Sequence, residues 1–234
     1  MNPIKQKTTE LLDFFRVKNP SSQYEQKLSH YIPLKWGHTQ WIGAADPYSF
    51  ILVPETDDNK VLHPEKNVVN LKNILPDKVL YQADIDKEKL IQLFKSIPLI
   101  ETAEKKECPS CNGGGEFEHW GDTYDCQYCQ ETGEISTRHK IKIRDPKFTF
   151  AIDGNMVNPE KIEKLIIAIT LSEAENVRYM LTSGNEAVVL FSLDYQIIVG
   201  LARYLPLKTD VQIFDISTEC MSIEDLQKIK IIRP

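Results

Sequence analysis

A chain of 234 residues with 41% hydrophobic and 26% charged residues has the composition of a folded protein, long enough for one large domain or two small ones. Its formal net charge of −6 excludes a protein that coats nucleic acid with its whole surface, while leaving room for a local basic face. No apolar run approaches the ~20 residues of a membrane-spanning helix, and Met1 to Glu10 is polar without a signal-like apolar stretch, so no membrane partner and a cytoplasmic location are expected.

Residues 4 to 16 read as an amphipathic helix carrying Ile4, Leu11, Leu12, Phe14 and Phe15, stopped by Asn19-Pro20-Ser21-Ser22. Trp36 and Trp41 follow around Gly37-His38; two tryptophans so close suit core and rim packing better than a ligand platform. His30, His38 and His63 have no ligand-like spacing and are given no role. Tyr48 to Val53 is a strand by its β-branched and aromatic content, and Val79 to Asp84 is another. The next string, Asp86 to Ile97, places Leu90, Leu93, Phe94 and Ile97 on one helical face behind an Asp86 N-cap, and Pro98 ends it.

A charged approach over Thr102 to Glu107 leads to two matched knuckles, Cys108-Pro109-Ser110-Cys111-Asn112-Gly113-Gly114-Gly115 and Cys126-Gln127-Tyr128-Cys129-Gln130-Glu131-Thr132-Gly133. Two Cys-x-x-Cys pairs at this spacing supply four thiolates to one tetrahedral ion, and zinc is the usual ion so satisfied. A disulfide or a redox Cys-x-x-Cys predicts one pair beside a βαβ pattern rather than two pairs in Gly-rich loops. With Cys108, Cys111, Cys126 and Cys129 filling all four positions, one structural Zn2+ is expected, with no open coordination site and no ligand role for His119 or His139. Trp120 and Tyr124 lie between the knuckles, either covering the small module or presenting a contact surface. Cys220 has no disulfide partner and reads as a small buried residue.

These residues resemble the cysteine-rich zinc module of DnaJ-type chaperones, whose repeat is Cys-x-x-Cys-x-Gly-x-Gly. Cys108 to Gly115 fits that repeat, while Cys126 to Gly133 departs at Glu131. The family carries four repeats and two zincs, whereas this chain has two repeats and room for one. The resemblance implies a zinc hairpin and does not by itself imply a chaperone; the string His63-Pro64-Glu65 does not make the His-Pro-Asp loop of a J domain.

Beyond a polar exit at Thr137 to Lys140, Lys140 to Arg144 and Phe148 to Ile152 alternate as strands. Asp153-Gly154-Asn155 is a turn, and Asn158-Pro159-Glu160 starts a helix with Ile162, Leu165, Ile166 and Ile169 on one face. Val177 to Leu181, Ala187 to Phe191 and Gln196 to Ala202 form a meander with a turn at Ser183-Gly184-Asn185, Val211 to Ile216 adds a strand, and residues 222 to 232 mix a short helix with an apolar stretch. Aligning Asp86 with Asn158 sets the two helices on each other face to face, a weak internal repeat. The segment Phe148 to Tyr204 is similar to a repeat unit of the DNA sliding clamps, in which a strand and a helix precede antiparallel strands. Were both halves such units, their helices would line a DNA-facing surface on which Lys87, Lys89, Lys95, Lys161 and Lys164 meet phosphates; the alternative is that these lysines are solvated helix faces.

The expected architecture is therefore α+β, antiparallel sheets with packed helices, with parts at 1–104 and 138–234 interrupted by an inserted four-cysteine zinc hairpin at 105–137. No Ser-His-Asp set, Walker loop or dinucleotide fingerprint is present, so no enzyme is expected. The leading functional reading is a zinc-containing, clamp-like, DNA-associated binding protein, with homo-oligomer formation possible. The alternative is a chaperone-like or adaptor protein whose zinc module binds polypeptide.

Overall fold

The computed structural model describes residues 3–20, 23–56, 69–76, 78–119, 122–183, 188–194, 196–203 and 211–216. Trp120, His63, Cys220, the turn at 184–185 and the stretch 222–232 lie outside them. In chain order the elements are α1 (Pro3–Phe15), α2 (Gln23–Leu28), β1 (Ile32–Trp36), β2 (Thr39–Asp46), β3 (Ser49–Pro54), β4 (Lys78–Asp84), α3 (Lys87–Ser96), β5 (Leu99–Glu107), β6 (Glu116–His119), β7 (Asp122–Asp125), β8 (Glu134–Arg144), β9 (Phe148–Ile152), β10 (Asn155–Val157), α4 (Pro159–Ser172), β11 (Val177–Ser183), β12 (Val188–Leu193), β13 (Ile197–Ala202) and β14 (Gln212–Asp215). The fold is α+β, and among the described residues every strand pair is antiparallel except β9 with β14. Two compact units divide the chain: residues 98–145 form one, and the residues on either side together form the other. No helix among the described residues is long and apolar enough to cross a membrane.

The larger unit is built on a seven-stranded sheet ordered β1-β2-β3-β13-β12-β11-β4. Its central strands are apolar at nearly every position because both faces are buried. Alternation along each strand divides those residues between two cores. Ile51, Val53, Val189, Phe191, Val199 and Leu201 enter one core, with α1, α3 and α4. Phe50, Leu52, Leu190 and Ile198 enter the other, with Leu28 of α2 and the 3-10 turn Leu71–Asn73. Each such side chain contributes about 1.5–3 kcal/mol by leaving water. Trp36 and Trp41 pack at this second core, their indole N–H groups donating to the carbonyls of Pro76 (3.0 Å) and Trp36 (3.3 Å).

Helix starts follow their caps. The Asp86 carboxylate accepts from the Lys89 N–H at 2.8 Å, and Asn158 Oδ1 accepts from the Lys161 N–H at 3.0 Å with Pro159 at the first helical position. Leu90, Phe94 and Ile97 of the first helix region, and Ile162, Leu165 and Ile169 of α4, are buried in the same core. The correspondence does not extend to the following strands. β5, after α3, pairs with β8 in the smaller unit. The counterpart of β11-β12-β13 after α4 is instead β1-β2-β3 after α1, and the strand order outward from the β3–β13 junction is the same in both directions, 3-2-1 and 13-12-11.

At that junction Gly200 lies opposite Phe50. A Cβ on Gly200 would come within 2.2 Å of the Phe50 ring, and that ring is fully buried. Gly200→Ala is therefore expected to destabilise the larger unit by about 1–3 kcal/mol through overpacking. Urea unfolding monitored by tryptophan fluorescence would show the loss, and Phe50→Leu in the same chain should recover part of it.

Candidate metal centre

In the smaller unit β5 and β8 run antiparallel from Leu99↔Arg144 to Glu107↔Glu134, with a register shift between Ala103 and Lys105. These strands replace the charged approach and polar exit read from the sequence. Their alternation is concealed because few of their side chains are buried. Beyond them the chain makes the two knuckles, related residue for residue. The Cys108 N–H donates to the Gly133 carbonyl and the Cys126 N–H to the Gly115 carbonyl, both at 2.8 Å. The Gly113 N–H reaches the Cys108 carbonyl (3.3 Å) and the Glu131 N–H the Cys126 carbonyl (3.1 Å). The Gly115 N–H points at Cys111 Sγ (3.2 Å) and the Gly133 N–H at Cys129 Sγ (3.3 Å). This last pair of bonds aims backbone donors at sulfurs, the arrangement a thiolate needs.

The four Sγ atoms lie within 4.8 Å of one another. Cys108 Sγ and Cys126 Sγ are 3.7 Å apart, as are Cys111 Sγ and Cys129 Sγ. Four sulfurs held ~2.3 Å from a tetrahedral zinc are separated from each other by about 3.8 Å, so the donor set fits that ion. All four cysteines are buried, and among the described residues the hydrophobic side chain packed on them is a partly buried Ile135. Burial pushes the Cys111 thiol up to about 11. At Cys108 burial also acts upward, but hydrogen bonds from the Cys111 and Ser110 backbone and the neighbouring thiols outweigh it and leave the group at about 7.

Glycine is required where the knuckles interlock. Gly115 and Gly133 have φ of +76° and +71°, and a Cβ on either would come within 2.3 Å and 2.2 Å of the carbonyl oxygens of Glu131 and Gly113. Glu131, the departure from the repeat, holds φ +68° where its counterpart Gly113 holds +81°. An L side chain in that region costs about 1 kcal/mol.

The lysines singled out in the sequence fall into two groups in the larger unit. On α3, Lys89 and Lys95 are exposed, while Lys87 Nζ donates to the Ala174 carbonyl at 3.0 Å. On α4, Lys161 Nζ sits 4.7 Å from the centre of the Tyr48 ring, and burial lowers its pKa against the upward pull of Glu160. Lys164 forms an ion pair with Asp46, lies 3.2 Å from Ser49 Oγ and approaches the Phe14 and Phe15 rings; burial takes its amine down to about 8. Asp46, which the sequence reading passed over, is the organising residue there. Its carboxylate also accepts from the Tyr48 and Ser49 N–H groups at 2.8 and 2.7 Å, and the Asp46-Pro47 dipeptide was the available signal for that turn.

No protein-family model matches the sequence, and no curated protein matches it. The solved structures it is similar to include the DNA polymerase III subunit beta of Borrelia burgdorferi (11% identity, TM-score 0.45, 87% of this chain and 62% of that one). The DNA polymerase sliding clamp of Bacillus subtilis (9%, TM-score 0.45, 87% and 62%) and a putative DNA polymerase III beta subunit of Eubacterium rectale (8%, TM-score 0.44, 86% and 63%) are also among them. The chain spans less than two thirds of the length of each.

Chelation is expected to open residues 108–133 and leave the larger unit folded, because the thiol cluster has too little apolar cover to persist alone. Hydrogen exchange read peptide by peptide distinguishes this from global unfolding. Glu131→Gly should slow metal loss to a competing chelator, with a gain of about 0.5–1 kcal/mol, and Gly113→Ala should hasten it.

Proposed function

We propose that this chain is a zinc-containing binding protein without catalytic activity of its own. The observation that carries the reading is the set of four buried thiols within 4.8 Å of one another, with 3.7 Å between the sulfurs of each cross-knuckle pair and no fifth donor needed. Cys108, Cys111, Cys126 and Cys129 would hold one structural zinc in a hairpin of the DnaJ type, and reduced thiols of this kind suit a cytoplasmic location.

The larger unit is proposed to be a clamp-like, DNA-associated body. Two features support this. A three-stranded meander preceded by helix, α1 and α2 on one side and α4 on the other, occurs on each side of the β3–β13 junction, and α3 exposes Lys89 and Lys95 to solvent. Lys87, Lys161 and Lys164 of α3 and α4 complete the proposed phosphate-facing set, each engaged within the unit: Lys87 with the Ala174 carbonyl, Lys161 over the Tyr48 ring and Lys164 with Asp46. Such contacts read charge, not sequence. A ring would require copies of the chain to associate head to tail, and among the described residues the seven-stranded sheet offers β1 and β4 as its two edges.

Lys89→Glu with Lys95→Glu is expected to weaken binding to duplex DNA and lower the slope of log affinity against log salt by about 2. Light scattering over a range of protein concentrations should show a discrete closed oligomer, and circular DNA should retain the protein better than the same DNA linearised. Salt-independent binding, or equal retention, would remove the clamp reading. One observation favours the second reading, an adaptor that holds polypeptide: Phe117, Tyr124 and Tyr128 of the smaller unit are large side chains left in water.

A further inference from the structure

The segment between the knuckles is a separate two-stranded sheet, β6 with β7, in which all eight residues are exposed. Two four-residue strands do not hold together on their own in water, so the hairpin depends on the knuckles that bracket it. Phe117 and Tyr124 are direct cross-strand partners, their rings stacked with centroids 6.1 Å apart and planes 25° from parallel. They remain 45% and 47% exposed, and Tyr128 in the second knuckle is 64% exposed. A pair that served only to cover the thiols would bury itself on them, yet the side chain that packs there is Ile135.

The charge beside these rings has one sign. Residues 116 to 125 carry Glu116, Glu118, Asp122 and Asp125 and no lysine or arginine. Alternation puts Phe117, Tyr124 and Asp122 on one face, and Glu116, Glu118 and Asp125 on the other. Glu116 and Asp125 stand directly opposite each other, a like-charge pairing that costs stability in a bare hairpin. Aromatic faces attract cations through the ring quadrupole, and carboxylates pair with guanidinium and ammonium groups. The same carboxylates repel phosphates.

We propose that the β6–β7 hairpin is the docking site for an extended, Lys/Arg-rich segment of a partner protein. The segment adds along an edge of the hairpin, so that its side chains alternate between the two faces. Those on one face stack on Phe117 and Tyr124 beside Asp122; those on the other meet Glu116, Glu118 and Asp125. This deepens the polypeptide-holding reading above and rests on the zinc site to hold the hairpin. It also gives the two units different ligands, DNA for the larger and a basic peptide for the smaller.

The test uses the full chain loaded with zinc and a fluorescein-labelled peptide, about twelve residues of alternating Arg and Thr, followed by fluorescence anisotropy. The expected result is saturable binding that weakens with salt and falls by about tenfold in Phe117→Leu/Tyr124→Leu, which keeps apolar area but removes the π faces. A comparable fall is expected in Glu116→Gln/Asp125→Asn, which keeps shape but removes charge. Zinc per chain, measured by atomic emission, should be unchanged in both. Binding that neither double variant weakens, or no binding by a chain that holds its zinc, would each overturn the proposal. A chain that takes up no zinc would instead overturn the metal reading beneath it.

Discussion

β3 and β13 pair antiparallel over Ser49–Leu52 and Ile198–Leu201, and the larger unit hangs on that pairing. Through it the meander that follows α1 and the meander that follows α4 become one sheet with a core on each side. Where the two backbones meet, the Phe50 ring fills the space above Gly200 that a Cβ would need. Because Phe50 belongs to one core and its neighbour Ile51 to the other, a shift of one residue would exchange the two sets of side chains. α1 and α4 then pack on the same face and join α3 in the first core, which is why the lysines of α3 and α4 come to lie on one layer of helices.

The smaller unit is held by a different force. Where the larger one buries aromatic and branched side chains by the dozen, the buried cluster of this one is, among the described residues, four thiols with a partly buried Ile135 against them. Its hydrogen bonds aim backbone N–H groups at sulfur, and its glycines make room for carbonyls of the opposite knuckle. The geometry suits charge on the sulfurs, so an ion held by them would be part of the fold here in the way that Phe50 is part of the fold there.

The sequence disclosed those elements whose cause is local. Asp86 and Asn158 cap α3 and α4 through contacts three residues away, and the Cys-x-x-Cys knuckles are written out in full. β9 and the β11-β12-β13 meander show in alternation and turn residues. What it concealed depends on distant partners. β1 and β2 are strands because β3 is beside them, and their two tryptophans drew attention to side chains instead of pairing. β5 carries six charged or threonine side chains among its nine and is a strand only by virtue of β8. The lysines illustrate the same limit: nothing around Lys164 in the chain announces Asp46, and a long amphipathic side chain can bury its stem and still find a carboxylate. Glu131 was legible as a departure from the repeat, while its left-handed backbone was not.

The ends of the smaller unit meet. The Asp145 N–H donates to the Pro98 carbonyl at 2.9 Å, so the whole segment between them leaves and re-enters the chain through the same gap, and closing a loop across so short a span costs little. A unit attached in this way behaves as a cassette. Its length can change, down to a simple turn, without altering the register of any strand in the seven-stranded sheet.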